Sequence, residues 1–128
     1  MVRVRAATAA DRVAVLNVLD GAALAVDGNR LDYSLARGAT LVAEPDEGGV
    51  VLGALVRDGD EIEAIAVRRR RRGQGIGTAL VDAAKAECDR IVAAFDPQVQ
   101  PFWTSLGFDA APVSEADRLR GVWTADAD

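Results

Sequence analysis

The chain has 128 residues, half of them hydrophobic, with 15 basic and 20 acidic side chains and a net charge of −5. That length suits one domain, residues 1–128, with a single two- or three-layer core, and the acidic balance argues against a nucleic-acid or anionic-membrane binder. One cysteine, Cys88, and no histidine exclude an internal disulfide, a Cys-rich or His-based metal site and a Ser-His-Asp triad. No apolar run approaches the roughly twenty residues needed to cross a bilayer. The N-terminus also lacks the basic, apolar and small-residue pattern of a secretion signal, so the expectation is a cytoplasmic protein.

Val2 to Arg5 alternates like a strand, and Thr8 with Asp11 three positions on forms a capping-box-like helix start. Val15, Val18, Leu19, Ala22 and Val26 follow at helical spacing and predict an amphipathic helix, broken at Asp27-Gly28-Asn29. A second short helix is predicted from about Leu31 to Arg37, stopping at Gly38. Ala39 to Ala43 and Val50 to Arg57 read as strands around the turn-rich segment Pro45 to Gly49. Asp58-Gly59-Asp60 signals another tight turn, into a strand Glu61–Val67. Next comes Arg72-Gly-Gln-Gly-Ile-Gly77, and a helix from near Gly75 toward Glu87. Ile91 to Phe95 is a short apolar strand, and Asp96-Pro97 opens a loop into a helix near Val99–Leu106. Phe108 starts a further strand, and Arg118 to Thr124 supplies the last. This order predicts an α+β (αβα) fold with a mainly antiparallel sheet and flanking helices.

The glycine segment carries the chemistry. Glycines between a strand and a helix leave a row of backbone N–H groups with no Cβ in the way, at the positive end of a helix dipole. Such a row suits a phosphate or pyrophosphate, and Arg72 adds a guanidinium at its rim. A Walker loop is excluded because no lysine follows any of these glycines. A dinucleotide fingerprint is excluded because Thr78 stands at its third glycine position. The five-arginine run Arg68 to Arg72 reads as a solvated turn beside this loop, in an otherwise acidic chain.

Arg-x-x-Gly-x-Gly, entered from a strand ending Ala66-Val67 and leaving into an amphipathic helix, resembles the pyrophosphate loop of the GNAT superfamily of acetyl-CoA-dependent N-acetyltransferases. Pro101-Phe-Trp-Thr-Ser-Leu-Gly-Phe108 is similar to the family's Phe-Tyr-x-x-Leu-Gly-Phe segment. Val2 to Asp11 resembles its opening strand and helix. The resemblance implies a splayed central strand pair with the pantetheine arm of acetyl-CoA, the co-substrate, in the gap. It places Ile65, Ala66 and Val67 on that arm, and wraps Arg72, Gly73, Gln74, Gly75, Ile76, Gly77 and Thr78 around the pyrophosphate. Asp96 falls where the family often has an Asn facing the cofactor arm.

Amine acetylation needs a neutral nucleophile, so a carboxylate must take a proton. Glu61 and Glu63 are two apart and expected on one strand face with Ile65 and Val67, which makes Glu63 the preferred base and Glu61 the second candidate. The competing reading of Glu61 is a solvent-facing strand end. Trp103 stands where the family commonly has a Tyr that serves the departing thiolate; an indole N–H donates but does not give up its proton, so Trp103 either steadies the sulfur or packs. Tyr33, in the segment over the acceptor site, is the candidate for substrate binding. The implied function is acetyl transfer to a primary amine by direct attack, the acceptor being a small molecule, a peptide or a protein N-terminus. The alternative is a non-catalytic acyl-CoA-binding sensor or scaffold. A homodimer through the sheet edge or C-terminal strand fits so small a domain.

Overall fold

The computed structural model describes residues 2–22, 24, 26–113 and 117–125. Seven strands form one sheet: β1 Val2–Ala6, β2 Thr40–Pro45, β3 Gly53–Asp58, β4 Glu61–Val67, β5 Arg90–Phe95, β6 Asp109–Pro112 and β7 Leu119–Thr124. Their order is β1-β2-β3-β4-β5-β7-β6. Every pairing is antiparallel except β4 with β5. The helices are α1 Arg12–Gly21, α2 Gly28–Ala36, α3 Ile76–Lys85 and α4 Gln100–Ser105. The fold is the expected α+β sandwich of helices on a mixed, mainly antiparallel sheet.

Alternation in the strands sorts side chains onto two faces. Leu41, Ala43 and Leu55 meet Leu80, Val81 and Ala84 of α3 and Trp103 of α4 in one core. Val42, Ala54 and Val56 meet Val15, Leu19 and Leu31 of α1 and α2 in the other. Gly53 lies under α3, where an added Cβ would come 3.1 Å from the Ala66 carbonyl oxygen and from Ile76. A side chain there would lift the helix off the sheet.

Three local features depart from the sequence expectation. The first helix ends at Gly21 rather than running through Val26 to a break at Asp27-Gly28-Asn29; there the Asp27 carboxylate instead accepts from the N–H groups of Asn29 and Arg30 and caps α2, which starts at Gly28. The arginine run folds its middle, Arg69–Arg71, into a 3-10 turn. The third departure is in β4. Val56 pairs with Ala64 and Arg57 with Ile62, so Glu63 is an extra residue in the strand, a β-bulge. The bulge changes which face follows. Ile62 therefore joins the α3-side core that Ile65 and Val67 pack against, while Ala64 and Ala66 face α1 and α2. The expected single face of Glu61, Glu63, Ile65 and Val67 does not form.

At the β1–α1 corner, Arg5 makes two hydrogen bonds to Asp11, at 2.9 and 3.0 Å, and a third to Glu44 at 2.9 Å. Asp11 also closes the capping box on Thr8, as its spacing predicted. Arg5 holds the Asp11 carboxyl down at about 2, aided by the Thr8 N–H and opposed by burial. No helix among the described residues is long and apolar enough to cross a membrane.

Candidate active site

β4 and β5 are paired at only two positions, Glu61 with Val92 and Ile62 with Ala93. Beyond Ile62 the strands part. The β5-facing edge of residues 63–67 is thus left without a strand partner, although the other edge of residues 64–67 stays laddered to β3. Backbone N–H and C=O groups on an open edge need water or a ligand to satisfy them. The opening runs directly into the glycine loop, and together they form one cavity of about 800 Å³.

The loop end of this cavity is built for an anion. Gly75 is the N-cap of α3, in the left-handed conformation with φ 83°, and no side chain caps the helix. Gly73 is also left-handed, φ 78°, and both glycines face open space where a Cβ would stand. The first N–H groups of α3 and its dipole are therefore available to a ligand. Gly77 serves packing instead: a Cβ there would lie 3.3 Å from Phe102 of α4. Arg72 lines the cavity while its Nε donates to the Val67 carbonyl at 3.0 Å, which ties the loop to the end of β4.

The expected cofactor residues Ile65, Ala66, Val67, Arg72, Gly73, Gly75, Ile76, Gly77, Thr78 and Asp96 all line this cavity. Gln74 lines a smaller neighbouring cavity with Val2, Arg71, Ile76 and Ala79. Asp96 turns one carboxylate oxygen back to the Gln98 N–H, 2.9 Å away, capping the turn that leads into α4. Glu63, re-aimed by its bulge, lines the cavity too, and its carboxylate accepts from Arg30 of α2 at 2.6 Å.

Trp103 is buried. It stacks on Phe95 with ring centroids 5.3 Å apart and meets Phe102 and Phe108 edge-on at 5.2 and 5.0 Å. Packing is thus its evident use, although the ring also forms part of the cavity wall.

Two expected residues stand apart. Glu61 is exposed at the closed end of the β4–β5 pair and does not line the cavity. Tyr33 is half exposed on α2, its hydroxyl accepting from Arg37 at 2.9 Å and its ring under that guanidinium at 4.9 Å. It does not line the cavity either. Leu24, Arg71, Phe102 and Arg118 do, and sequence reasoning missed them. Phe102 was legible in the Phe-Trp pair; Arg118 reaches the site only through the pairing of β7 with β5.

The family model for the acetyltransferase (GNAT) domain matches residues 36–110, which contain the parted strands, the loop and α4. The chain belongs to the GNAT acetyltransferase family. Solved structures resemble this GNAT chain over nearly its whole length. Naa50 of Arabidopsis thaliana, in complex with the bisubstrate analogue CoA-Ac-MVNAL, has a TM-score of 0.81 at 15% identity, covering 96% of this chain and 98% of its own. Rv2747 of Mycobacterium tuberculosis, in complex with CoA and NLQ, has 0.79 at 21%, with coverages of 95% and 98%. The ribosomal-protein-S18-alanine N-acetyltransferase of Escherichia coli has 0.68 at 16%, with 95% and 91%. At these identities the likeness is one of fold. A sequence search of curated proteins gives no match.

Proposed function

We propose that this GNAT chain is an acetyl-CoA-dependent N-acetyltransferase that moves an acetyl group to a primary amine by direct attack. The observation that carries the reading is the parting of β4 from β5 beside an uncapped helix N-terminus, within one continuous cavity. The shape suits a long, phosphorylated, amide-bearing ligand such as CoA. In this reading the pyrophosphate rests on the amides of residues 73 to 78, with Arg72 at its rim. The pantetheine arm takes the open edge of Ile65, Ala66 and Val67, replacing the ladder that β5 does not supply. A β4 N–H next to the thioester carbonyl would act as oxyanion donor, a contribution of about 3 kcal/mol.

Glu63 is the general base of the proposal, acting directly or through water. The neutral amine nitrogen bonds to the carbonyl carbon, the C–S bond breaks, and the thiolate leaves, ending as the free thiol of CoA once protonated. Glu61, exposed and away from the cavity, has no part in it. Trp103 walls the site and supplies no proton. The whole chain then works as one cytoplasmic domain, singly or as a homodimer, on a small amine, a peptide or a protein N-terminus.

Two observations favour a second reading, an acyl-CoA-binding sensor or scaffold without turnover: Trp103 is packed in the core, and Glu63 is held by Arg30. Incubating the protein with acetyl-CoA and an amine panel, and following free thiol, decides between them. Amine-stimulated thiol release supports transfer. Tight CoA binding with no release on any amine sinks it in favour of the sensor.

A further inference from the structure

The five arginines from Arg68 to Arg72 are neighbours in sequence but not in surroundings. Arg68 and Arg72 are tied down, their Nε groups donating to the carbonyls of Val51 at 2.6 Å and Val67 at 3.0 Å. Arg69 and Arg70 are exposed. Arg71 is half-buried, and its Nε is shut off from solvent with no acceptor among the described residues. The other arginines that are not exposed, Arg5, Arg12, Arg57 and Arg68, each donate to a carboxylate or a carbonyl oxygen. Among the described residues Arg71 makes no side-chain hydrogen bond or ion pair at all. A guanidinium drawn out of water without an acceptor is costly, and an anion removes that cost.

The position of Arg71 says which anion. It lines the large cavity beside the glycine loop and also the smaller neighbouring cavity of about 430 Å³. Ile76 is shared by both as well, so the two spaces meet at the start of α3. No carboxylate lines the smaller cavity; its polar side chains are Arg71 and Gln74, and both can donate. CoA carries one phosphate beyond its pyrophosphate, a monoester on the ribose, on the opposite side of the pyrophosphate from the pantetheine arm. With that arm in the parted strands and the pyrophosphate on residues 73 to 78, the ribose end continues past the loop to where Arg71 stands. A phosphate monoester carries about two negative charges at neutral pH, and a guanidinium fork matches its oxygens.

We infer that the smaller cavity takes the ribose phosphate of CoA, and that Arg71 is the residue by which the protein tells CoA from the same molecule lacking that phosphate. This rests on the CoA reading of the large cavity and adds a specificity-determining residue to it. Gln74, in the same small cavity, is its second donor.

The test is a calorimetric titration of the protein with CoA and with 3′-dephospho-CoA. The wild-type protein should bind CoA about tenfold tighter or more. In Arg71→Gln the ratio should fall to near one, with the affinity for 3′-dephospho-CoA retained as proof that the loop is intact. Arg70→Gln, one position away and exposed, should keep the wild-type ratio. Equal binding of the two ligands by the wild-type protein overturns the inference and needs no variant. So does a preference that survives in Arg71→Gln, or one lost equally in Arg70→Gln, which would assign it to the general field of the run. Should Arg71→Gln not fold, Arg71→Lys keeps the charge without the fork, and an undiminished preference there would overturn the inference as well. Failure to bind either ligand would sink the CoA reading of the large cavity together with this one, whereas equal binding of both would leave that reading standing.

Discussion

The two edges of β4 show what separates scaffold from site in this molecule. Toward β3 the strand is laddered from Glu61 to Val67, interrupted only by the bulge. Toward β5 it is paired at two residues and then open. The same backbone is satisfied internally on one side and left open to water or a ligand on the other. The paired edge continues through β2 into the charged corner of Arg5, Asp11 and Glu44. The open edge continues into the glycine loop. Stability and binding are thus assigned to opposite sides of one strand, and substitutions on the two sides should have separable effects.

The largest effect is expected at the loop. Gly75→Asp puts a Cβ on a residue with φ 83° and a negative charge where an anion should rest, and should abolish CoA binding measured by calorimetry. Glu63→Gln keeps the shape of the open-edge bulge and removes its basicity. Turnover should fall by about 10²–10⁴-fold with CoA affinity unchanged, and the acidic limb of the pH–rate profile should vanish. Trp103→Tyr lies between the two regions, walling the cavity while packed on Phe95. The smaller ring should leave a void and cost about 1–3 kcal/mol in denaturant unfolding, with no gain in single-turnover rate. A stable variant with faster transfer would instead make position 103 a leaving-group site.

The smallest effect belongs to the paired side. The Asp11 carboxyl lies at about 2 against an ordinary 3.8, so its pairing with Arg5 favours the folded state. Because the folded value is the lower one, that contribution is complete above pH 4 and fades as pH falls toward 2. Asp11→Asn should flatten the acid limb of the stability curve in that window and leave CoA affinity alone. Unchanged acid sensitivity in the variant would assign it to other carboxylates.

Much of this division was legible in the chain. The alternation of Glu61–Val67, the run Arg72 to Gly77 and the helical spacing after it are local signals, and each element lies within a few residues of its expected place. The capping box of Thr8 and Asp11 is local too. The bulge at Glu63 was not legible, because it exists only in the register against β3, and one extra residue reversed the expected face of Ile62 and Glu61. The partners of the site were hidden for the same reason. Arg30 meets Glu63 across 33 residues and Arg118 meets Ala94 across 24, contacts that no spacing rule anticipates. Tyr33 was placed near the acceptor by its segment alone; the turn of α2 that begins at Asp27 sends it to solvent beside Arg37. Local pattern located the glycine-loop end of the cavity. Long-range pairing decided the end at Glu63.

The most direct test of the central claim is amide hydrogen exchange with and without CoA, resolved by residue. Residues 65–67 and 73–78 should gain protection when CoA is added, since the ligand replaces the missing ladder and occupies the helix N-terminus. The β2–β3 ladder and the Arg5–Asp11 corner should exchange as before. Protection confined to those regions, with the open edge and the loop unchanged, would contradict the account.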